Sequence, residues 1–334
     1  MKTPMLIWGP PGCGKSAAAA QWAAANYGQR VITYVCSQED PADTAGVIGE
    51  NADGTSSRRV PAWWKAACND PHAVILEELT AAEPQQMAAV LRATDDAREI
   101  AGHRLHAETV VIATANPPEM AAGAARSLAP PILSRFRHTT VPDGAAADFL
   151  LGGAGWCIQW PAAAPIPGMR AIVATYWQCN PGAATASAEE IASAEATQSP
   201  FPTPRAWCRA ADEEGDLSLW HEYIGRSAAA QFLHWFTCQD LPNPLEIVAG
   251  RCSTIPARGD AVMTTANAVA SLIKRDAAPA AIAAALTWYA AAAAAGHVAN
   301  CVAAVIRIVQ TIGTARASLH AAELTEYTAA ISAA

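Results

Sequence analysis

The octet GPPGCGKS, Gly9 to Ser16, gathers residue types that handle phosphate, and it fits G-x-x-x-x-G-K-[ST] in full. Gly9, Pro10, Pro11, Gly12, Cys13 and Gly14 form a loop whose backbone N–H groups curl around β- and γ-phosphates. The loop ends at a predicted helix start, where the helix dipole favours an anion. Lys15 neutralises phosphate charge, and the Ser16 hydroxyl is a ligand for Mg²⁺. Further along, AVILEELT (Ala73–Thr80) runs an apolar stretch into two adjacent carboxylates, Glu77 and Glu78. A first carboxylate in such a place holds a metal through water, and a second polarises the attacking water as general base. Nucleotide hydrolases usually carry aspartate at the first of these positions. Glutamate is one methylene longer, and a displacement of about 1 Å matters in a preorganised site. Slower turnover, not its abolition, is the expectation. Asn116, in TVVIATANP (Thr109–Pro117), closes another apolar run and is expected to orient the water against the γ-phosphate.

These residues need a frame that brings them to one crevice. Residues 5–9, 31–37, 72–79, 109–117 and 138–142 read as strands, most of them continuously apolar. Helices are predicted over 15–27 and 84–96, the second opening at Pro84. Continuously apolar strands alternating with helices predict a parallel sheet covered on both faces, with its ligand crevice beyond the strand ends. Asp53-Gly54 is a hairpin turn signal, and a second hairpin is expected around 101–108. After Asp143 the pattern becomes helical, with candidates over 206–212, 227–238, 260–274, 279–295 and 297–311. Residues 155–160 and 170–177 look like amphipathic helices without visible chemistry.

The chain has 334 residues, 52% hydrophobic and 16% charged, with a net charge of −8. Alanine accounts for much of the apolar excess, which suits close helix packing. The acidic balance argues against a general nucleic-acid binder. Nine cysteines without ligand spacing indicate neither zinc nor a disulfide framework, and suggest a reducing compartment. No signal-peptide-like segment or membrane span is expected, and the localisation expected is cytoplasmic.

The run Gly9–Ser16, VILEEL (74–79), TANPPE (114–119), PPILSRF (130–136) and FPTPRAW (201–207) is similar, in order and spacing, to AAA+ ATPases of the MoxR-like group. Residues 225–250 resemble the lid of MoxR-type ATPases paired with von Willebrand A-like partner proteins. The resemblance implies an α/β fold, a parallel-sheet P-loop AAA+ core with a C-terminal all-helical lid domain. The expected divisions are a nucleotide-binding core over 1–145, a connecting helical segment over 146–200 and the lid over 201–334. It also implies ATP and Mg²⁺ as ligands, with Ser16 and Glu77 on the metal. Arg135 falls where the family has its arginine finger, reaching the nucleotide of a neighbouring subunit, and Arg137 is its nearby competitor. Arg205 matches the sensor-2 arginine, expected to read the nucleotide from the second domain. Insertions near 49–60 and 98–108 would line a central channel and touch the client, while Trp63 and Trp64 are expected to pack in the core or against the nucleotide domain. The implied function is ATP-driven remodelling of a protein client, or of a von Willebrand A-like partner, by a homo-oligomeric ring, a hexamer. The alternatives are a nucleotide-gated assembly scaffold with weak hydrolysis and a nucleic-acid-directed AAA+ motor.

Overall fold

The computed structural model describes residues 2–100, 102–117, 120, 126–142, 156–237 and 241–332. Its first half runs β1 (Met5–Trp8), α1 (Lys15–Tyr27), β2 (Val31–Val35), α2 (Pro41–Ala45), β3 (Val47–Glu50), β4 (Ser56–Arg59), α3 (Ala62–Asn69) and β5 (Ala73–Glu77). Then come α4 (Pro84–Thr94), β6 (Glu99–Ile100), β7 (His103–Arg104), β8 (Val110–Ala115), α5 (Pro130–Leu133) and β9 (Arg137–Thr140). Helices follow: α6 (Met169–Cys179), α7 (Ala188–Thr197), α8 (Pro204–Glu213), α9 (His221–Ile224), α10 (Arg226–Thr237), α11 (Pro244–Val248), α12 (Gly259–Leu272), α13 (Pro279–Ala294) and α14 (Val298–Ile312). Among the described residues no single helix is long and apolar enough to cross a membrane.

The chain divides into two compact units that alternate along the sequence. The first takes the described residues of 1–162, 186–213 and 219–226; the second takes 163–185, 214–218 and 227–332. The boundary expected near 145 falls outside the described residues. Helices α7 and α8, expected in the connector and lid stretches, count with the first unit. Helix α7 opens on a capping box, with Ser187 accepting from the Glu190 N–H and the Glu190 carboxylate accepting from the Ser187 N–H. That S-x-x-E signal marks where this helix begins within the stretch expected as a connecting helical segment.

The first unit is built on a five-stranded parallel sheet in the order β2-β5-β8-β1-β9. Alternating side chains explain why its central strands are apolar throughout. Met5, Ile7, Ala73, Ile75, Val110 and Ile112 meet Ala18, Ala19 and Ala23 of α1 on one face. Leu6, Trp8, Val74, Leu76, Val111 and Ala113 pack with Trp64 and Val90 on the other. Trp156 to Trp160 form no helix; Ile158 and Trp160 are buried in the α1-side core, which accounts for their apolar pattern.

The second unit is helical. Its core joins α12, α13 and α14, with Trp288, Tyr289 and Tyr327 buried. The Tyr289 hydroxyl donates to Ala266 O at 2.6 Å, and Tyr327 donates to Tyr289 O at 3.0 Å. A buried polar link, Asn267 to Thr175 at 2.8 Å, joins α12 to α6.

His138 shows how tightly β1 and β9 are joined. Its Nδ1 accepts from the Trp8 indole at 3.1 Å and its Nε2 donates to Leu133 O at 2.9 Å, a tautomer assigned from that network. Burial pulls its pKa down from 6.5 to about 4. The unfolded chain therefore binds the proton first. Stability is fully present above pH 6.5 and falls as the pH drops towards 4, by about 3 kcal/mol for this shift. Urea unfolding at pH 7.5 and pH 5 checks this, since a His138→Gln variant should lose less between the two.

Candidate functional site

The phosphate loop is the turn from β1 into α1. Gly12 and Gly14 have φ of 77° and 93°, conformations that disfavour a side chain. A Cβ built on either meets nothing within 4 Å, so it is the positive φ and not crowding that calls for glycine at both. The first intrahelical bond runs from Ala18 N to Gly14 O at 2.9 Å. The N–H groups of Lys15, Ser16 and Ala17 are thus left to point at a ligand, as at any helix start. Lys15 donates to Gly9 O, Pro10 O and Asn116 Oδ1, each at 2.8 Å. Burial lowers its pKa, opposed by Cys13 and Glu78. Asn116 follows the end of β8, the strand end where the sequence placed it, and its contact with the loop lysine is added by the structure.

Glu77 is the last residue of β5, half-buried, and Glu78 follows it exposed. Glu78 has φ 55°, in the left-handed region that glutamate rarely enters. Its N–H donates to Thr114 Oγ1 at 3.3 Å, and its carboxylate accepts from the Ser37 hydroxyl. A strained backbone at a carboxylate beside a phosphate loop is where function tends to concentrate. Sequence reasoning missed Ser37 and Thr114. Ser37 lies in no motif and Thr114 opens the run TANPPE without a role of its own; only the strand order brings β2 and β8 to the flanks of β5.

The arginines stand elsewhere. Pairing of Arg137 with Met5 puts the start of β9 beside the start of β1, whereas the phosphate loop follows the end of β1. Arg135, two residues before β9, is therefore separated from the loop by the strand length, roughly 13 Å. It donates to Pro131 O at 2.6 Å, while its Nε is buried with no partner. Burial and then Arg205 lower its pKa, against Asp95 and Asp96. Arg137, the competitor, is 2% exposed, paired with Glu222 and stacked on Tyr223, so it is a structural residue.

Arg205 opens α8, in the first unit, and pairs with Asp96 at 3.2 Å. The structure thus does not bring it to the loop of its own chain from the second unit. Arg209, one turn on, holds the same end together, donating to Arg135 O, to Thr94 O at 3.2 Å and to Asp96 at 3.3 Å. Burial pushes the Asp96 carboxyl up, but Arg205 and Arg209 outweigh it and hold its pKa below the usual range. The four-residue step from Arg205 to Arg209 was the available signal for this pair.

Both expected hairpins are present, β3 with β4 and β6 with β7. Trp64 is 1% exposed and donates to His103 O at 3.0 Å. Trp63 is half-buried, packs against that core and donates to Asp43 O at 2.7 Å. The tryptophans therefore pack, as expected.

Residues 4–136 match the family described as AAA domain (dynein-related subfamily). No curated protein matches the chain. Among solved structures, a closed-state cryo-EM reconstruction of Hsp104 with ATPγS and FITC-casein is similar at 17% identity and a TM-score of 0.28. The similarity covers 35% of this chain and 21% of that one, so the chain spans about a fifth of that relative's length. Residues 4–136, with their parallel sheet and phosphate loop, have the fold of an AAA+ P-loop core, and a largely helical remainder follows.

Proposed function

We propose that the chain is a Mg²⁺-dependent ATP hydrolase of the MoxR-like kind, working in the cytoplasm as a ring, a hexamer, to remodel a protein client or a von Willebrand A-like partner. One observation carries the reading. The phosphate loop with Lys15, Glu78 and Asn116 lies at one end of the sheet, and Arg135 with Arg205 lies at the other. A single copy therefore cannot complete a site that needs both, whereas a head-to-tail neighbour supplies the missing end.

Within the site, Gly9 to Ser16 bind the triphosphate, Asn116 orients the water and Glu78 takes its proton. Arg135 of the next subunit meets the γ-phosphate charge as it develops. Ser16 and Glu77, two hard oxygen donors, suit Mg²⁺, which keeps several waters and shares phosphate oxygens. When bound, it would neutralise phosphate charge. Phosphate release measured over a wide protein concentration range tests the whole. Turnover per subunit should rise with concentration, and turnover independent of concentration would count against a shared site.

A second reading is a nucleotide-gated scaffold with weak hydrolysis. It is favoured by Glu77 in the aspartate position and by the Ser37 hold on Glu78. Ser37 follows β2, on the side of β5 away from the loop, so it draws the carboxylate off the attacking water. Ser37→Ala should raise basal turnover about two- to tenfold, the worth of one hydrogen bond. An unchanged rate in a single-turnover assay would remove Ser37 from the account.

A further inference from the structure

Helix α4 carries a stripe at the edge of the core, with Gln85, Ala88 and Arg92 exposed and Ala89 buried. Gln85, Ala88, Ala89 and Arg92 follow at three- and four-residue steps, which stacks them along one helix face. That stripe lines an open groove of about 650 Å³. Ser57 and Arg58 of β4 and Ile100 of β6 complete its lining. The small alanines keep the floor low, and the stripe spans about 10 Å along the helix. That length matches about three residues of extended chain.

The chemistry of the lining is one-sided. It carries two guanidinium groups and no carboxylate, in a chain whose net charge is −8. Arg58 is braced by donating to Gly46 O at 3.0 Å, so part of its ordering is already done before anything binds. Ile48 lies directly across the hairpin from Arg58, on the same face, and is 70% exposed. An apolar foothold therefore sits beside the basic wall. The lining holds no aromatic ring on which a nucleic-acid base could stack, and two arginines cover few phosphates.

We propose that this groove takes an extended acidic segment of a protein client, its carboxylates on Arg58 and Arg92 and an apolar side chain against Ile48. The proposal rests on the remodelling reading only in calling the ligand a client, since binding itself needs no hydrolysis. The test is fluorescence anisotropy with a labelled peptide of glutamate and leucine. Its glutamine–leucine counterpart, a lysine–leucine peptide and a single-stranded oligonucleotide of equal charge serve as comparisons. The acidic peptide should bind about tenfold tighter than the glutamine peptide, with affinity falling as salt rises. Arg58→Ala should weaken it about tenfold, and Lys65→Ala, on the exposed side of α3, should not. Arg92→Glu, at an exposed position that tolerates change, should lose the acidic peptide and gain the lysine one.

Equal binding of the acidic and glutamine peptides overturns the proposal, as does an Arg92→Glu variant that binds like wild type. Tighter binding of the oligonucleotide, lost in the same variants, also overturns it and gives the groove to nucleic acid. Phosphate release from the same preparations separates the two failures. A chain that hydrolyses ATP but ignores the peptide sinks the groove alone. Peptide binding without hydrolysis sinks the remodelling activity and leaves the groove standing.

Discussion

Glu78→Gln is expected to bind ATP about as tightly as the wild type and to release phosphate about 10²- to 10⁴-fold more slowly, the usual worth of a positioned general base. The amide has the shape of the carboxylate and cannot take a proton. The backbone that places it is anchored separately, through the Glu78 N–H on Thr114, so the substitution leaves the strand end intact. Lys15→Ala should differ in kind. Its ammonium is the group held against Asn116 and the loop carbonyls, and its loss removes charge that the triphosphate meets on binding. A nucleotide-binding titration run beside phosphate release separates the two: binding kept and turnover lost for Glu78→Gln, both lost for Lys15→Ala. If wild type and Glu78→Gln release phosphate equally slowly while ATP still drives assembly, the scaffold reading stands. Glu77→Asp then becomes informative, since shortening the carboxylate should speed an enzyme whose metal ligand is one methylene too long.

The parts of this site that were legible in the sequence are those governed by local chemistry. The octet Gly9–Ser16 needs its glycines for positive φ and its lysine for charge, and no neighbouring strand decides that. The apolar runs ending in Glu77 and Asn116 were legible because a strand buried on both faces has to be apolar throughout. What the sequence withheld depends on packing across the sheet. Ser37 is an ordinary loop serine until the order β2-β5 puts it beside Glu78. Arg137 and Arg135 stand two residues apart with similar surroundings in sequence, and only the burial of Arg137 on Glu222 and Tyr223 separates them. Arg205 was expected from the second domain because TPRAW resembles the family's sensor-2 position at the start of a lid helix. Helix α8 instead packs with the sheet, its Glu213 carboxylate accepting from Thr3 N at 2.8 Å, and no periodicity distinguishes a helix that returns from one that continues.

Mixing two inactive variants should restore activity. Arg135→Ala keeps an intact phosphate loop and lacks the finger; Lys15→Ala keeps the finger and lacks the loop lysine. Each alone should release phosphate at least about a hundredfold more slowly than wild type, since an arginine finger is worth about 10³ or more in turnover. In a closed ring assembled at random from equal parts, about a quarter of the interfaces join an intact loop to an intact finger, so about a quarter of wild-type turnover should return. The geometry demands this outcome if the site is shared. The two groups lie at opposite ends of the same strands, and no rearrangement within the first unit carries Arg135 past the sheet to its own loop. Arg205→Ala should complement Lys15→Ala in the same way, because Arg205 shares Asp96 with Arg209, which in turn holds the Arg135 carbonyl. If Arg205→Ala fails to complement while Arg135→Ala succeeds, Arg205 serves only to hold that end of the sheet together. If neither mixture recovers, the nucleotide is not handled between subunits.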